Sequence, residues 1–408
     1  MKKELGGKVL NLFKNRVFTT ILFTDIIQQA AIWIRNISVM FFIMDVTNKD
    51  PMAISALNFV EMVPMFLLTF LGGIIADKYN PKKLMFLGDF LSFISFVILG
   101  SLISKGYMVA IFITVLISAI VTQFSYPASQ KYFKEYVDEK EIDLAIGISQ
   151  LLASIFPIIG PFLGSYFYFT FGIGKTLLII AFMFLLSVAL IITLPNKQFE
   201  KIESDGFIED ARLTFNYVNN KKVIKVFAKM LFILSFGIGI SGNLDIFLIT
   251  ERLGLNEEFY QFFSGIAGIG AVVGGLLYIA ISKYLKDMKI VYSLIGVFAI
   301  TVFLEGYSTL PVFTMILQFI DNVIGALLSG YVMTLMTKIT DQEYLGKVNG
   351  LTSTLMYFGL MISFVLSGVI LKYSSIVIAF SLASFTFVVC FIMLYREIKR
   401  GLLDDLNN

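Results

Sequence analysis

Twelve times along this 408-residue chain, a run of roughly 20 mostly apolar residues recurs between short turns rich in charge, glycine or proline. A helix of that length spans the hydrocarbon layer of a bilayer, at about 1.5 Å per residue. The runs fall near 17–43, 53–76, 84–104, 107–128, 144–170, 175–194, 224–250, 260–282, 290–308, 311–336, 348–371 and 375–395. With 57% hydrophobic and 15% charged residues, against about 25% charged in a typical soluble protein, the chain cannot hide its surface in one soluble core. It must live in a bilayer. There is no histidine, and Cys390 is the only cysteine. An intrachain disulfide is therefore impossible, and neither a metal site nor a metal cofactor is expected. The N-terminal "MKKELGGKVLNLFKNR" shows no small-residue cleavage site, so the first apolar segment is expected to stay in place.

Twelve spans put both ends on one side, and the basic residues choose it. One set of connections holds Lys2, Lys3, Lys8, Lys14 and Arg16, then Lys78, Lys82 and Lys83, then Lys131, Lys134 and Lys140. The lysine-rich stretch at 195–223 continues the set, followed by Lys283, Lys286, Lys289, Lys338, Lys347, Arg396, Lys399 and Arg400. The opposite connections hold only Lys49, Lys105, Lys175, Arg252 and Lys372. The positive-inside rule then makes both termini and the central stretch cytoplasmic.

The central stretch "PNKQFEKIESDGFIEDARLTFNYVNNKK" divides the spans six and six. A faint repeat agrees: "DEKEIDLAIG" (Asp138 to Gly147) and "DQEYLGKVNG" (Asp341 to Gly350) share end residues at one spacing, each between a fourth and a fifth span. "LGGIIADKY" and "VGGLLYIAISKY" match similarly at the second-to-third-span junctions. Two parallel six-helix halves around a midplane site are a transporter plan. The expected domains are an N-terminal bundle at 1–194, a cytoplasmic linker at 195–223 and a C-terminal bundle at 224–408.

Between spans two and three, "GGIIADKYNPKK" resembles the cytoplasmic signature of the major facilitator superfamily. Gly73, Ala76, Asp77, Lys78, Lys82 and Lys83 fall on its positions; Asn80 stands at the usual turn glycine and Pro81 replaces a basic residue. The resemblance implies an all-α integral membrane fold of twelve transmembrane helices in two pseudo-symmetric six-helix bundles. It also implies that Asp77 serves a cytoplasmic gate, set against a helix N-terminus of the other half, where the helix dipole favours a carboxylate.

Span five carries "FPIIGPFLGSYF", with Pro157, Gly160, Pro161 and Gly164 inside an apolar helix. Helix interiors usually exclude proline, at about 3 kcal/mol. The segment resembles the glycine–proline pattern of the superfamily's antiporters, with Gly147, Gly160, Pro161 and Gly164 on its positions. Phe156 and Ser165 depart from it. Small residues allow close packing against a neighbour in the other half, and prolines bend the helix; the resemblance implies export. "FSYPASQKYFKEYVDEKEI", "EYLGKVNGL" and "KKLMFLGDF" are similar to stretches of the macrolide-efflux and enterobactin-exporter-like branch of drug:proton antiporters.

Ionisable groups inside spans are expensive and mark function by default. In "TDIIQQAAIWIRNIS", Asp25, Gln28, Gln29, Ile32, Arg35 and Asn36 fall on one helical face and should line a central cavity. The Asp25 carboxyl could bind protons or a cationic substrate group. Glu61 lies about 12 Å below the outer end of span two at 1.5 Å per residue, and Arg35 lies at about the same depth on the antiparallel span one, so an ion pair is plausible. Gln318, Asp321 and Asn322 lie deep in span ten. Asn243, Asp245 and Glu305 lie nearer the outer ends of spans seven and nine, where the last two are expected to reach the interface. Asp89 is expected to join the network around Asp77. Trp33 and the 42 phenylalanines could supply an apolar wall.

The expected function is a proton-antiport exporter of amphipathic small organic compounds of drug or macrolide type. Siderophore or metabolite export, or a proton-coupled uptake symporter, are the alternatives. Absence of histidine, of a metal cluster and of any nucleotide-binding loop argues against an enzyme or direct ATP drive. The expected setting is a bacterial cell membrane, with a bilayer and a small molecule as partners, no nucleic acid, no cofactor beyond the coupling proton, and a monomeric chain.

Overall fold

The computed structural model describes residues 12–138, 141–196, 207–282 and 288–402. Among them eleven helices are long and apolar enough to cross a membrane. In chain order the helices are α1 (Arg16–Val46), α2 (Pro51–Lys78), α3 (Pro81–Ser104), α4 (Val109–Tyr136), α5 (Ile142–Ile192), α6 (Phe207–Asn220) and α7 (Lys222–Phe247). They continue as α8 (Tyr260–Ile281), α9 (Met288–Tyr307), α10 (Pro311–Ile339), α11 (Leu345–Tyr373) and α12 (Ile376–Glu397).

The 51-residue α5 is two spans in one. Gly172 interrupts it at φ 70° and ψ 168°, a backbone region that essentially only glycine occupies. Thr176 Oγ1 donates to Phe167 O (3.0 Å) and Gly172 O (2.8 Å), tying the two sides of the break together. The break falls in the interval read as the junction of spans five and six, so α5 carries both and the spans number twelve.

Local chemistry sets the helix ends. Prolines stand at the first positions of α2, α3 and α10, where a missing N–H breaks no helical bond. Asn15 starts α1: its Oδ1 accepts from Val17 N (3.0 Å) and Phe18 N (3.2 Å). Asn80 caps α3 by accepting from Lys83 N at 3.3 Å. Ser375 does the same for α12.

The chain divides into two compact units: Met1–Phe42 with Leu67–Ser204, and Ile43–Phe66 with Asp205–Asn408. In the first, α3 packs against α4 and α5. In the second, α8 packs on α10, α7 on α11 and α12, and α9 on α12 and α10. The N-terminal part of α2, as far as Phe66, belongs to the second unit. There Asn243 Nδ2 donates to Ser55 Oγ (2.8 Å) and Ser367 Oγ (2.6 Å), while Asn58 Nδ2 donates to Asn243 Oδ1 (2.6 Å). Gly368 makes room for this part of α2: a Cβ there would lie 2.7 Å from Ser55 Cβ.

The stretch at 195–223 contains the helix α6, which hydropathy alone did not predict. Tyr217 stacks on Tyr344 with centroids 4.2 Å apart. Its hydroxyl donates to Asp341 Oδ2 (2.9 Å) and accepts from Asp341 N (3.0 Å), and Lys221 Nζ reaches Asp341 Oδ2 at 3.1 Å. The Lys221 hydrogen bond, then that of Tyr217, holds the Asp341 carboxyl below its ordinary range. Lys221 is pushed up, first by Tyr217 and then by Asp341.

Candidate functional site

In the first unit, α1, α3, α4 and α5 enclose a cavity of about 130 Å³. Asp25, Gln28, Gln29 and Ile32 of the expected α1 stripe line it, joined by Asp89 from α3 and Tyr126 from α4. Ser129 Oγ donates to Asp25 Oδ1 at 3.3 Å. Asp89, 1% exposed, accepts from Gln28 Nε2 at both oxygens (2.9 and 2.8 Å) and from Ser187 Oγ. Two turns into α3, the Asp89 side chain meets α1 and α5; its expected link to the network around Asp77 involves a side chain outside the described residues. All of these donors are neutral, and a carboxyl held by neutral donors can exchange a proton without breaking an ion pair.

Arg35 and Asn36, one turn beyond Ile32, bind each other. Asn36 Oδ1 accepts from Arg35 Nε at 2.8 Å and from Nη2. Arg35 is 2% exposed, and its amide neighbour answers part of the need of a buried guanidinium. Glu61, half-buried on the N-terminal part of α2, lies in the second unit.

In the second unit, α7, α8, α9 and α10 surround a larger cavity, about 430 Å³. Gln318, Asp321 and Asn322 of α10 line it as expected of a polar cluster deep in a span, and Asp245 and Glu305 face the same space. Here the structure corrects the reading of Glu305 as an interfacial residue: it is 4% exposed. The reason is azimuth rather than depth. The short turn at 308–310 folds α9 back along α10, so the face carrying Glu305 meets the face carrying Asp321. Thr301 Oγ1 donates to Asp321 Oδ1, and Asn322 Nδ2 donates to Gln318 O at 2.9 Å.

The span-five pattern resolves into close contacts with α1. A Cβ on Gly160 would lie 2.7 Å from Cγ and Cδ2 of Trp33, and one on Gly164 would lie 2.5 Å from Ile37 Cβ. Ser38 Oγ donates to Gly164 O at 3.2 Å, a bond that the same close approach permits. This neighbour lies within the first unit, not in the other half as the sequence reading had it. A Cβ on Gly147 would meet nothing within 4 Å outside its own helical turn. Trp33, read as a candidate cavity wall, covers Gly160.

Of the loop signature, the side chains of Gly73, Ala76, Asp77 and Lys78 lie outside the described residues. Lys82 has a defined partner: its Nζ donates to Ile192 O (3.0 Å) and to Leu194 O. A lysine at these terminal carbonyls suits the negative end of the α5 dipole. Lys83 contributes its backbone N–H to the Asn80 cap. Arg252 plays a similar part in the second unit, donating from Nη2 to Tyr307 O (2.7 Å) and from Nε to Ser308 O (3.2 Å).

Comparison with known proteins agrees with this architecture. The chain is 24% identical over 367 residues to the uncharacterized MFS-type transporter YkuC of Bacillus subtilis (strain 168), covering 86% of this chain and 84% of that one. It is 22% identical over 264 residues to the staphyloferrin A transporter of Staphylococcus aureus (strain NCTC 8325 / PS 47), covering 64% and 66%. Among solved structures, the nucleoside transporter NupG superposes with a TM-score of 0.72 at 15% identity, covering 94% of this chain and 99% of that one. A POT family transporter in complex with 5-aminolevulinic acid gives 0.74 at 14% identity, covering 96% and 97%. The Major Facilitator Superfamily profile matches residues 21–304, and the protein, a multi-pass membrane chain of twelve helical spans, belongs to that transporter family.

Proposed function

We propose that the protein exports amphipathic small organic compounds of drug or macrolide type across the bacterial cell membrane by proton antiport with alternating access. The observation that carries this reading is the presence in each unit of a buried, carboxylate-bearing cavity. Asp25 and Asp89 answer to neutral donors in one, and Asp321 and Glu305 line the other. A carboxyl that gains a proton as substrate leaves, and loses it as substrate binds, couples the two fluxes.

In this cycle Asp25 is the proton carrier, with Gln28 and Gln29 beside it. The polar face of α10 meets the substrate. Arg35 and Glu61 form the charge pair that protonation of Glu61 releases, and Asp77, with Gly73, Ala76, Lys78, Lys82 and Lys83, serves the cytoplasmic gate. The span-five glycine–proline pattern supports the outward direction and the macrolide-efflux-like branch. Both termini and the 195–223 linker are cytoplasmic on the lysine and arginine distribution, and the coupling ion is the proton. The chain acts as a monomer, needs no cofactor, and has no enzymatic activity. The likeness to a staphyloferrin A transporter supports a second reading, export of a siderophore.

Transport into inverted vesicles, with an imposed proton gradient and a panel of dyes, macrolides and siderophores, tests these readings against each other. Accumulation of a dye or macrolide that follows the gradient supports the first. Accumulation of siderophores alone supports the second.

A further inference from the structure

The cavity at Asp245, Glu305 and Asp321 has features that export in general does not require. Among the described residues no donor reaches Glu305 Oε1 or Asp321 Oδ2. Both groups are at least nine-tenths buried, at 4% and 7% exposure, and both line the cavity. A buried carboxylate oxygen without a partner is costly, so the arrangement calls for a group that answers it. Among the described residues no lysine or arginine lines this space. Nor do three or more acidic, histidine or cysteine side chains converge as a metal site among the described residues. The carboxyls line a volume in the range of small-molecule sites, about 300–1,000 Å³.

A second cavity, about 480 Å³, adjoins the first and shares Ile238, Phe298, Gly325 and Ser329 with its wall. Among the described residues it carries no ionisable side chain; Met333, Met336 and Met356 lie among its apolar lining. Methionine surfaces adapt to irregular apolar shapes. One chamber is thus acidic and the other apolar and adaptable, and they meet at a common wall.

We propose that these two chambers form one site for an amphipathic organic cation, its cationic centre beside Glu305 and Asp321 and its apolar body against the methionine-lined wall. The proposal rests on the export reading for its context and narrows the substrate class within it. It selects against polyanionic substrates, because three carboxylates would repel them.

Equilibrium binding of tritiated tetraphenylphosphonium to the purified full-length chain, with no gradient imposed, tests the site. Neutral triphenylphosphine oxide and anionic tetraphenylborate serve as shape-matched competitors. The expected result is competition in the order cation, neutral, anion, with Glu305→Gln and Asp321→Asn each weakening the cation at least about tenfold, the order of one charge-assisted contact. Competition by the neutral compound should be unchanged in both variants. Equal affinity for the three compounds, no phosphonium binding, or variants that bind the cation normally would overturn the proposal.

In the unaltered protein, dicyclohexylcarbodiimide labelling of Glu305 and Asp321, mapped by peptide mass, is expected to fall at saturating phosphonium. Unchanged labelling overturns the proposal even if the variants fail to fold. Because binding needs no gradient, normal cation selectivity with gradient-independent transport would sink the antiport reading alone. Proton-driven export without cation selectivity would sink this site alone.

Discussion

Gly160 offers a perturbation whose size can be worked from distances. An alanine Cβ there would stand 2.7 Å from Trp33 Cγ and Cδ2 and 2.8 Å from Trp33 Cβ. Unstrained carbon contacts lie at about 3.5–4.0 Å, so α1 and α5 must separate, or the indole must move, by about 1 Å. Overpacking of this kind costs about 1–3 kcal/mol, while alanine gains about 1 kcal/mol over glycine in a helix. Gly147, in the same helix, where a Cβ would meet nothing within 4 Å outside its own helical turn, provides the control. Both variants carry the propensity gain, so their difference isolates the packing term. Gly160→Ala is therefore expected to be less stable than Gly147→Ala by about 1–3 kcal/mol in detergent unfolding. The assay has a built-in reporter, because Trp33 is the only tryptophan. Its emission should shift in Gly160→Ala and not in Gly147→Ala. Equal stability and identical emission for the two variants would refute the close approach. The larger Gly160→Leu should insert normally yet lose coupled export.

Other perturbations have equally defined outcomes. Asp89→Ala strands Gln28 Nε2 and Ser187 Oγ in a buried place, and should cost about 1–3 kcal/mol in the same unfolding assay; an unaltered midpoint would remove the network. Asp25→Asn leaves folding intact and should flatten the pH dependence of export; an unchanged profile would move the proton to Asp321. For Arg35 and Glu61, a double-mutant cycle with Arg35→Gln and Glu61→Gln should show favourable coupling, and a zero value would dissolve the pair. At the α6 contact, the Asp341 carboxyl is depressed by Lys221 and Tyr217. Its stabilisation is present above the ordinary carboxylate value of 3.8 and is lost as pH falls through the lower folded value. Hydrogen-exchange protection across 207–220, measured relative to the intrinsic rate at each pH, should therefore fall at acid pH and in Asp341→Asn, and protection indifferent to both would disprove the docking.

Hydropathy carried most of the fold because a bilayer imposes one length on every crossing segment. The expected start at 311 coincides with Pro311, where the ring's fixed geometry suits a first helical turn, and the gap between 170 and 175 contains the Gly172 break. The α1 stripe was legible as far as Ile32, since helical spacing places polar residues on one face. What lay beyond reach was the partner of each face. Rise per residue gives depth, but Glu305 had the depth of an interfacial residue and the azimuth of a cavity residue. Gly160 and Gly164 announced a close neighbour without saying that it was α1. The helix α6 escaped because it is polar overall, its order resting on Tyr217 and Lys221 meeting Asp341 and Tyr344 from far along the chain.

The central claim is that outward substrate movement is driven by inward proton movement. Inverted vesicles with an acid lumen, carrying the unaltered protein or Asp25→Asn, test it most directly when a fluorescent amphipathic cation is added outside. The account predicts that the dye accumulates inside while lumenal protons are released, that nigericin abolishes both, and that Asp25→Asn uncouples them. Accumulation indifferent to the gradient, or an acid lumen that drives preloaded dye out together with protons, would contradict it.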